Sequence, residues 1–164
     1  MHTYELNNQY LSVKVNSFGA ELCSVKSVSD SIEYVWQANK DVWARYAPNL
    51  FPIVGKLKNG SYSFNGNSYQ LPQHGFARDN EFVCVEESAD KLVFEFSSNK
   101  ETLLSYPFVF RLQIAYTLKG KELLVEYFVF NPDKFDLYFS VGAHPAFNCP
   151  LLKDETFEDY ELIF

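Results

Sequence analysis

At 164 residues, 47% of them hydrophobic and including 16 Phe and 11 Tyr, the chain is long enough for one real core and too apolar to be disordered. Its net charge of −7, with no basic stripe, excludes nucleic acid as a partner, because binding phosphates needs a basic footprint. Cys23, Cys84 and Cys149 are odd in number, widely spaced and without a C-x-x-C pair, which argues against both a zinc site and a disulfide framework. The N-terminus lacks a basic-then-apolar signal pattern, and no uncharged apolar run is long enough to span a bilayer. The expectation is a cytoplasmic protein with reduced thiols, no membrane segment, and one domain covering residues 1–164.

Taken in order, the start of the chain around His2 reads as frayed. Tyr10 to Val15 and Leu22 to Val28 alternate weakly and read as strands on either side of a turn at Phe18-Gly19-Ala20-Glu21. Tyr34-Val35-Trp36 reads as a short apolar strand. Asp41 to Tyr46 reads as one helical turn that ends before Pro48, since the residue before proline is pushed out of the helical region. Leu50 to Lys56 is apolar but broken by Pro52, which has no N–H for a ladder, so it is an edge, a bulge or a loop.

Asn59-Gly60 and Asn65-Gly66-Asn67 are hairpin signals, because Asn and Gly tolerate positive φ. They predict a hairpin of Tyr62-Ser63-Phe64 with Ser68 to Leu71. Phe82 to Val85 and Leu92 to Phe96 predict a second hairpin around Ser88-Ala89-Asp90. The clearest pattern follows. Phe108, Phe110, Leu112, Ile114, Tyr116 and Leu118 alternate with Val109, Arg111, Gln113, Ala115, Thr117 and Lys119, the signature of a long half-buried strand.

Lys119-Gly120-Lys121 turns the chain back into Leu123 to Phe130, which is apolar except at Glu126 and is expected to be covered on both faces. Leu137 to Val141 is expected to form a strand leading into His144, and Asp159 to Phe164 resembles the start of another. No segment reads as an amphipathic helix. Repeated short strands with turn signals predict an all-β fold, an antiparallel β-sandwich.

Two stretches carry candidate chemistry. One is Leu71-Pro72-Gln73-His74-Gly75-Phe76-Ala77-Arg78-Asp79; the other is Val141-Gly142-Ala143-His144-Pro145-Ala146-Phe147-Asn148. Alone, each histidine reads as a loop or turn residue satisfied locally. Together they share a pattern: each follows a strand, stands beside glycine and has a phenylalanine nearby. A sugar site wants this mixture of aromatic faces for C–H surfaces and a few fixed polar groups for hydroxyls. Imidazole titrates near neutrality, so one can donate a proton while the other holds a hydroxyl.

Arg78 reads either as the ion-pair partner of Asp79 or as a ligand for a sugar oxygen, and Lys56 as a solvated lysine or a pocket cation. Trp36 and Trp43 read as core more readily than as sugar platforms. Two histidines and a cysteine match no metal-site spacing, so no metal is expected.

Three segments then agree in order and separation. These are Arg45-x-x-Pro48-x-Leu50-Phe51-Pro52-Ile53-Val54-Gly55-Lys56-Leu57, then Gln73-His74-Gly75-Phe76-Ala77-Arg78, then Gly142-x-His144-Pro145-x-Phe147-Asn148. Together they resemble the aldose 1-epimerase (galactose mutarotase) superfamily, in its mutarotase-like branch; the hexose-6-phosphate mutarotases share a similar His-Gly-Phe-Ala-Arg segment. The resemblance implies a large antiparallel β-sandwich with a sugar cleft. It implies interconversion of the α and β anomers of a free aldose, a small-molecule sugar such as a hexose, without metal or cofactor. A carboxylate takes the anomeric hydroxyl proton, a histidine protonates the ring oxygen, and the opened sugar rotates and recloses.

By the same resemblance His144 is the general acid and His74 polarises the sugar near the ring oxygen, while Arg78, Lys56 and Phe147 contact substrate. Two features depart from the family pattern. Lys56 stands where arginine is usual and lacks its planar fork. The family's glutamate base and a further aspartate contact lie beyond the point this chain reaches, which implies the N-terminal part of a mutarotase, C-terminally incomplete and nearly inactive by itself. A carbohydrate-binding module without catalysis, and an inactive remnant, are the alternatives. Oligomeric state, the sugar preferred and its phosphorylation are not written in the sequence.

Overall fold

The alternation from Phe108 to Leu118 decides the centre of the molecule. In the computed structural model, which describes residues 1–161 and 163, every residue on its predicted inner face is buried. The element order begins β1 (Thr3–Asn7), β2 (Leu11–Asn16), β3 (Glu21–Ser27) and β4 (Asn49–Leu50). It continues with β5 (Ser61–Phe64), β6 (Asn67–Gln70), β7 (Val83–Glu87) and β8 (Lys91–Ser97). A short helix α1 (Lys100–Ser105), then β9 (Arg111–Lys119), β10 (Glu122–Phe130) and β11 (Gly142–Ala143) complete it.

Two antiparallel sheets face each other, one in the order β1-β2-β3 and one in the order β10-β9-β8-β7. Leu6, Val13, Val15 and Leu22 from the first meet Leu92, Phe94, Leu112, Ile114 and Tyr116 from the second in one continuous apolar cluster. Tyr4 lies edge-on to Phe94, ring centroids 5.2 Å apart, across the gap. The expected sandwich is therefore present. Each large side chain buried in it stabilises the fold by about 1.5–3 kcal/mol.

At one end of the sandwich the core turns aromatic. Phe51, fully buried, packs at ring-centroid distances of 4.9 Å from Phe110, 6.2 Å from Tyr106 and 6.4 Å from Phe76. The predicted hairpins are found. β5 pairs with β6 across Asn65 and Gly66, which take φ 48° and 78°, and β7 pairs with β8 around a bulge between Cys84 and Glu86.

Several expectations are corrected. The N-terminus is not frayed: Thr3–Asn7 pairs along β2, and Ser17 exchanges hydrogen bonds with the backbone of His2. Tyr34 to Trp36 makes only an isolated bridge, Val35 to Phe147. The helical turn near Asp41 comes earlier than expected, with the Trp43 N–H donating to the Asn39 carbonyl at 2.8 Å.

A helix absent from the sequence reading is present at Lys100–Ser105. The Asn99 side chain accepts from the Glu101 and Thr102 N–H groups and Thr102 Oγ1 accepts from the Asn99 N–H, so six residues are held by their cap rather than by an apolar stripe. β10 is covered on one face only. Leu123, Val125, Tyr127 and Val129 turn inward, while Leu124, Phe128 and Phe130 are 52%, 42% and 38% exposed, and β10 is an edge of its sheet. An unbroken apolar run does not say which side finds a neighbour.

Leu137 to Val141 joins no ladder. Its ties are Ser140 N–H to the Pro52 carbonyl and Tyr106 O–H to the Tyr138 carbonyl, and pairing begins only at Gly142. At the C-terminus, Phe157–Asp159 is a 3₁₀ turn rather than a strand entry; Leu162 and Phe164, part of that expectation, lie outside the described residues.

Candidate functional site

The site is built on the strap from Tyr46 to Gly55, whose two prolines exclude it from a regular sheet. Its backbone runs antiparallel to the second histidine segment. Asn49 pairs with Ala143 and Leu50 with Gly142, the His144 N–H donates to the Pro48 carbonyl at 3.1 Å, and the Ala146 N–H donates to the Tyr46 carbonyl at 3.0 Å. On its other side the strap holds the first histidine segment. The Phe51 carbonyl accepts from the Phe76 and Ala77 N–H groups at 3.0 and 3.1 Å, and the His74 N–H donates to the Gly55 carbonyl at 2.7 Å. One stretch of backbone thus holds both histidines.

The contact with Phe51 explains Gly75. Gly75 has φ 71°, and a Cβ there would fall 2.2 Å from the Phe51 carbonyl oxygen. His74 itself has φ 67°, a left-handed conformation unusual for a side chain of its size, so the surrounding bonds hold it against a local preference. The result is that the His74 and His144 rings lie 6.3 Å apart, centroid to centroid, in an edge-on arrangement.

Hydrogen bonding fixes the form of His74. The Gly55 N–H donates to Nδ1 at 3.0 Å, so Nδ1 carries a lone pair and the neutral ring bears its proton on Nε2. Gln73 sits 3.2 Å from Nε2, and this tautomer requires the amide oxygen rather than the nitrogen to face it. Burial first, then the Arg78 guanidinium and then His144, push the His74 pKa below its ordinary value. His74 is therefore a neutral donor at neutral pH.

The remaining predicted residues are placed as follows. Arg78 donates from Nη2 to the Gln73 carbonyl at 2.8 Å. Its Nε is buried without a hydrogen-bond partner, with Asp79 Oδ2 at 3.6 Å. The closer partner of Asp79 is Arg45, at 2.7 Å. Lys56 is exposed, one residue past the Gly55 that anchors His74, and forms no ion pair among the described residues. Phe147 is 64% exposed, its backbone bridged to Val35. The imidazoles meet at the surface, where His144 is exposed and His74 half-buried.

Three participants were not assigned to the site from the sequence. Trp43 is half-exposed rather than core, its ring 5.1 Å from that of His144, and its carbonyl accepts from Trp36 Nε1–H at 2.8 Å. Glu21, read only as a turn residue, is buried and accepts from the Tyr46 and Ala47 N–H groups through Oε1. Burial raises its carboxyl pKa more than those bonds and Arg45 lower it. Asn49, 2% exposed, donates to the Gly19 and Ala20 carbonyls and accepts from Tyr127 O–H. No local pattern marks such residues, because their partners are distant in sequence.

The aldose 1-epimerase family model matches residues 2–163. The chain belongs to the aldose 1-epimerase family. It is 40% identical to the plasmid-borne protein LacX of Lactococcus lactis over 169 aligned positions, covering 99% of this chain and 56% of LacX. Among solved structures, a galactose mutarotase related enzyme from Lactobacillus acidophilus superposes with a TM-score of 0.94 at 40% identity, over 96% of this chain and 53% of that one. A galactose mutarotase-like protein from Lactobacillus casei does so with 0.88 at 37% identity, over 93% and 52%. The chain spans about half the length of the relatives it matches. The aldose 1-epimerase fold is therefore present in a stretch whose relatives carry as much sequence again. Among the described residues no helix is long and apolar enough to cross a membrane.

Proposed function

We propose that residues 1–164 form one mutarotase-like unit carrying the two-histidine part of an aldose 1-epimerase site, acting on a free hexose in the cytoplasm. The observation that carries this reading is the 6.3 Å separation of two imidazoles that lie far apart in the chain. His144 supplies the proton to the ring oxygen as the C1–O bond breaks. His74, neutral and with its proton on Nε2, donates a hydrogen bond beside that oxygen in place of the one to the Gln73 amide. Arg78 and Lys56 meet hydroxyl groups, and Phe147, with Trp43 beside His144, offers an apolar face to sugar C–H bonds.

Ring opening also needs a base for the anomeric hydroxyl proton. Neither imidazole forms an ion pair with a carboxylate among the described residues. On this reading the base is a carboxylate within the additional length the relatives possess. General acid or base catalysis typically contributes about 10²–10⁴-fold, so the 164-residue chain alone is expected to be weakly active.

That same lack of a neighbouring carboxylate favours a second reading, a module that binds a sugar without turning it over. Polarimetry on freshly dissolved α-galactose or α-glucose separates the two. Acceleration lost in His144→Ala supports the epimerase. Sugar-dependent tryptophan fluorescence without acceleration supports the binder, and neither response would end the carbohydrate reading.

A further inference from the structure

Two buried polar side chains grip the strap from the side away from the imidazoles, and neither has a catalytic role in the mechanism above. Glu21 Oε1 accepts from the Tyr46 N–H at 2.9 Å and from the Ala47 N–H at 3.0 Å. Two residues on, Asn49 Nδ2 donates to the Gly19 carbonyl at 2.9 Å and to the Ala20 carbonyl at 2.8 Å. Its Oδ1 accepts from Tyr127 O–H at 2.5 Å, and Tyr116 O–H donates to the same Ala20 carbonyl at 2.7 Å. Gly19 and Ala20 both have positive φ, 72° and 45°, which turns their carbonyls toward the strap.

We infer that Glu21 and Asn49 are positioning residues that lock the register of the strap and thereby set His144 opposite His74. The inference rests on the reading of those histidines as a working pair.

The physical reason lies in the weakness of the ladder it would support. Strap and second histidine segment share only a two-residue strand pair, Asn49–Leu50 with Gly142–Ala143, flanked by the His144 and Ala146 bonds. Register is strongly specified where a strand buries a long alternating face, and weakly where pairing is short. A slip of one residue in this ladder turns every side chain to the opposite face, and His144 with it. A leucine in place of Asn49 would fill the space but carry no direction. The amide has two donors and an acceptor aimed at three fixed partners, and moving it leaves buried groups unpaired, which the low-dielectric interior penalises. Glu21 does the same for two backbone N–H groups that have no strand partner.

The lock reaches both imidazoles. His144 is bonded through Pro48, between the Glu21 and Asn49 anchor points. His74 is bonded to Gly55, and the following Phe76 and Ala77 to the Phe51 carbonyl, a few residues further along the same strap. Tyr127 ties the strap to β10 and Gly19 ties it to the turn after β2, so the strap is referenced to both sheets of the sandwich.

The test is nuclear Overhauser spectroscopy of the ring protons in the 164-residue chain, without sugar. The unsubstituted chain should show cross-peaks between His74 and His144 and between His144 and Trp43. Glu21→Ala and Asn49→Ala should lose both sets while keeping the shifted core signals of a folded sandwich. Glu21→Gln, whose amide oxygen still accepts, should restore them. Where Glu21→Ala does not fold, Glu21→Asp is the milder variant, expected to weaken both sets.

Cross-peaks that persist unchanged in Glu21→Ala, or in Glu21→Asp where that is used, and in Asn49→Ala, with only the melting temperature lowered, would overturn this inference alone. Their absence from the unsubstituted chain would overturn the paired-histidine reading beneath it. Polarimetry does not enter, so an inactive chain leaves the inference standing.

Discussion

His74 combines a left-handed backbone, a backbone N–H on Nδ1 and a guanidinium neighbour, and each of these has a measurable consequence. Because burial, Arg78 and His144 all lower its pKa, its imidazole signals should titrate with a midpoint below the usual value of about 6.5. Arg78→Gln should move that midpoint only part of the way back, since burial is the larger cause. A histidine harder to protonate when folded stabilises the fold above the unfolded pKa, and that stability is lost as pH falls from about 6.5 through the lowered folded pKa. His74→Gln should flatten this part of a stability–pH curve measured by urea unfolding. Gly75 has less freedom still. Gly75→Ala drives a methyl into the Phe51 carbonyl and strains a positive φ, so a loss of more than about 2 kcal/mol is expected in the same unfolding experiment.

Among the elements, the strands announced themselves and the small irregular pieces did not. β9 was legible because its large apolar residues alternate with small or polar ones, even though Ala115 on the outer face is also buried, and the β5–β6 hairpin because Asn65 and Gly66 take the positive φ their types favour. Helix α1 was missed because it is too short for an apolar period to develop. Its signal is Asn99 followed by Thr102, a reciprocal cap. Asn99→Ala should therefore lower stability by about 1 kcal/mol, read as a shift of the urea midpoint at constant slope, with the sandwich otherwise intact. Leu137 to Val141 failed in the opposite sense. Its composition suits a strand, but a strand exists only beside another, and no described segment pairs with it.

Across the whole molecule, the same limit appears as an exposed edge. Among the described residues β10 has no strand on its outer edge, and it carries Leu124, Phe128 and Phe130 on its outward face; such strands recruit other chains. The 164-residue chain is expected to self-associate with rising concentration, and Leu124→Lys with Phe128→Lys should reduce that association in light scattering without lowering the melting temperature. Unchanged scattering would place the association elsewhere.

The sequence by itself determined the two-layer antiparallel core and the family motifs that mark both histidine segments, because alternation, turn chemistry and motif spacing are local along the chain. Only the tertiary structure decided that the two imidazoles stand 6.3 Å apart, held by one strap, that Trp43 leans on His144, and that Glu21 and Asn49 hold the strap from behind. Those arrangements join residues from distant parts of the chain through backbone groups, which carry no residue-specific signature, and through buried polar contacts whose partners no local pattern names.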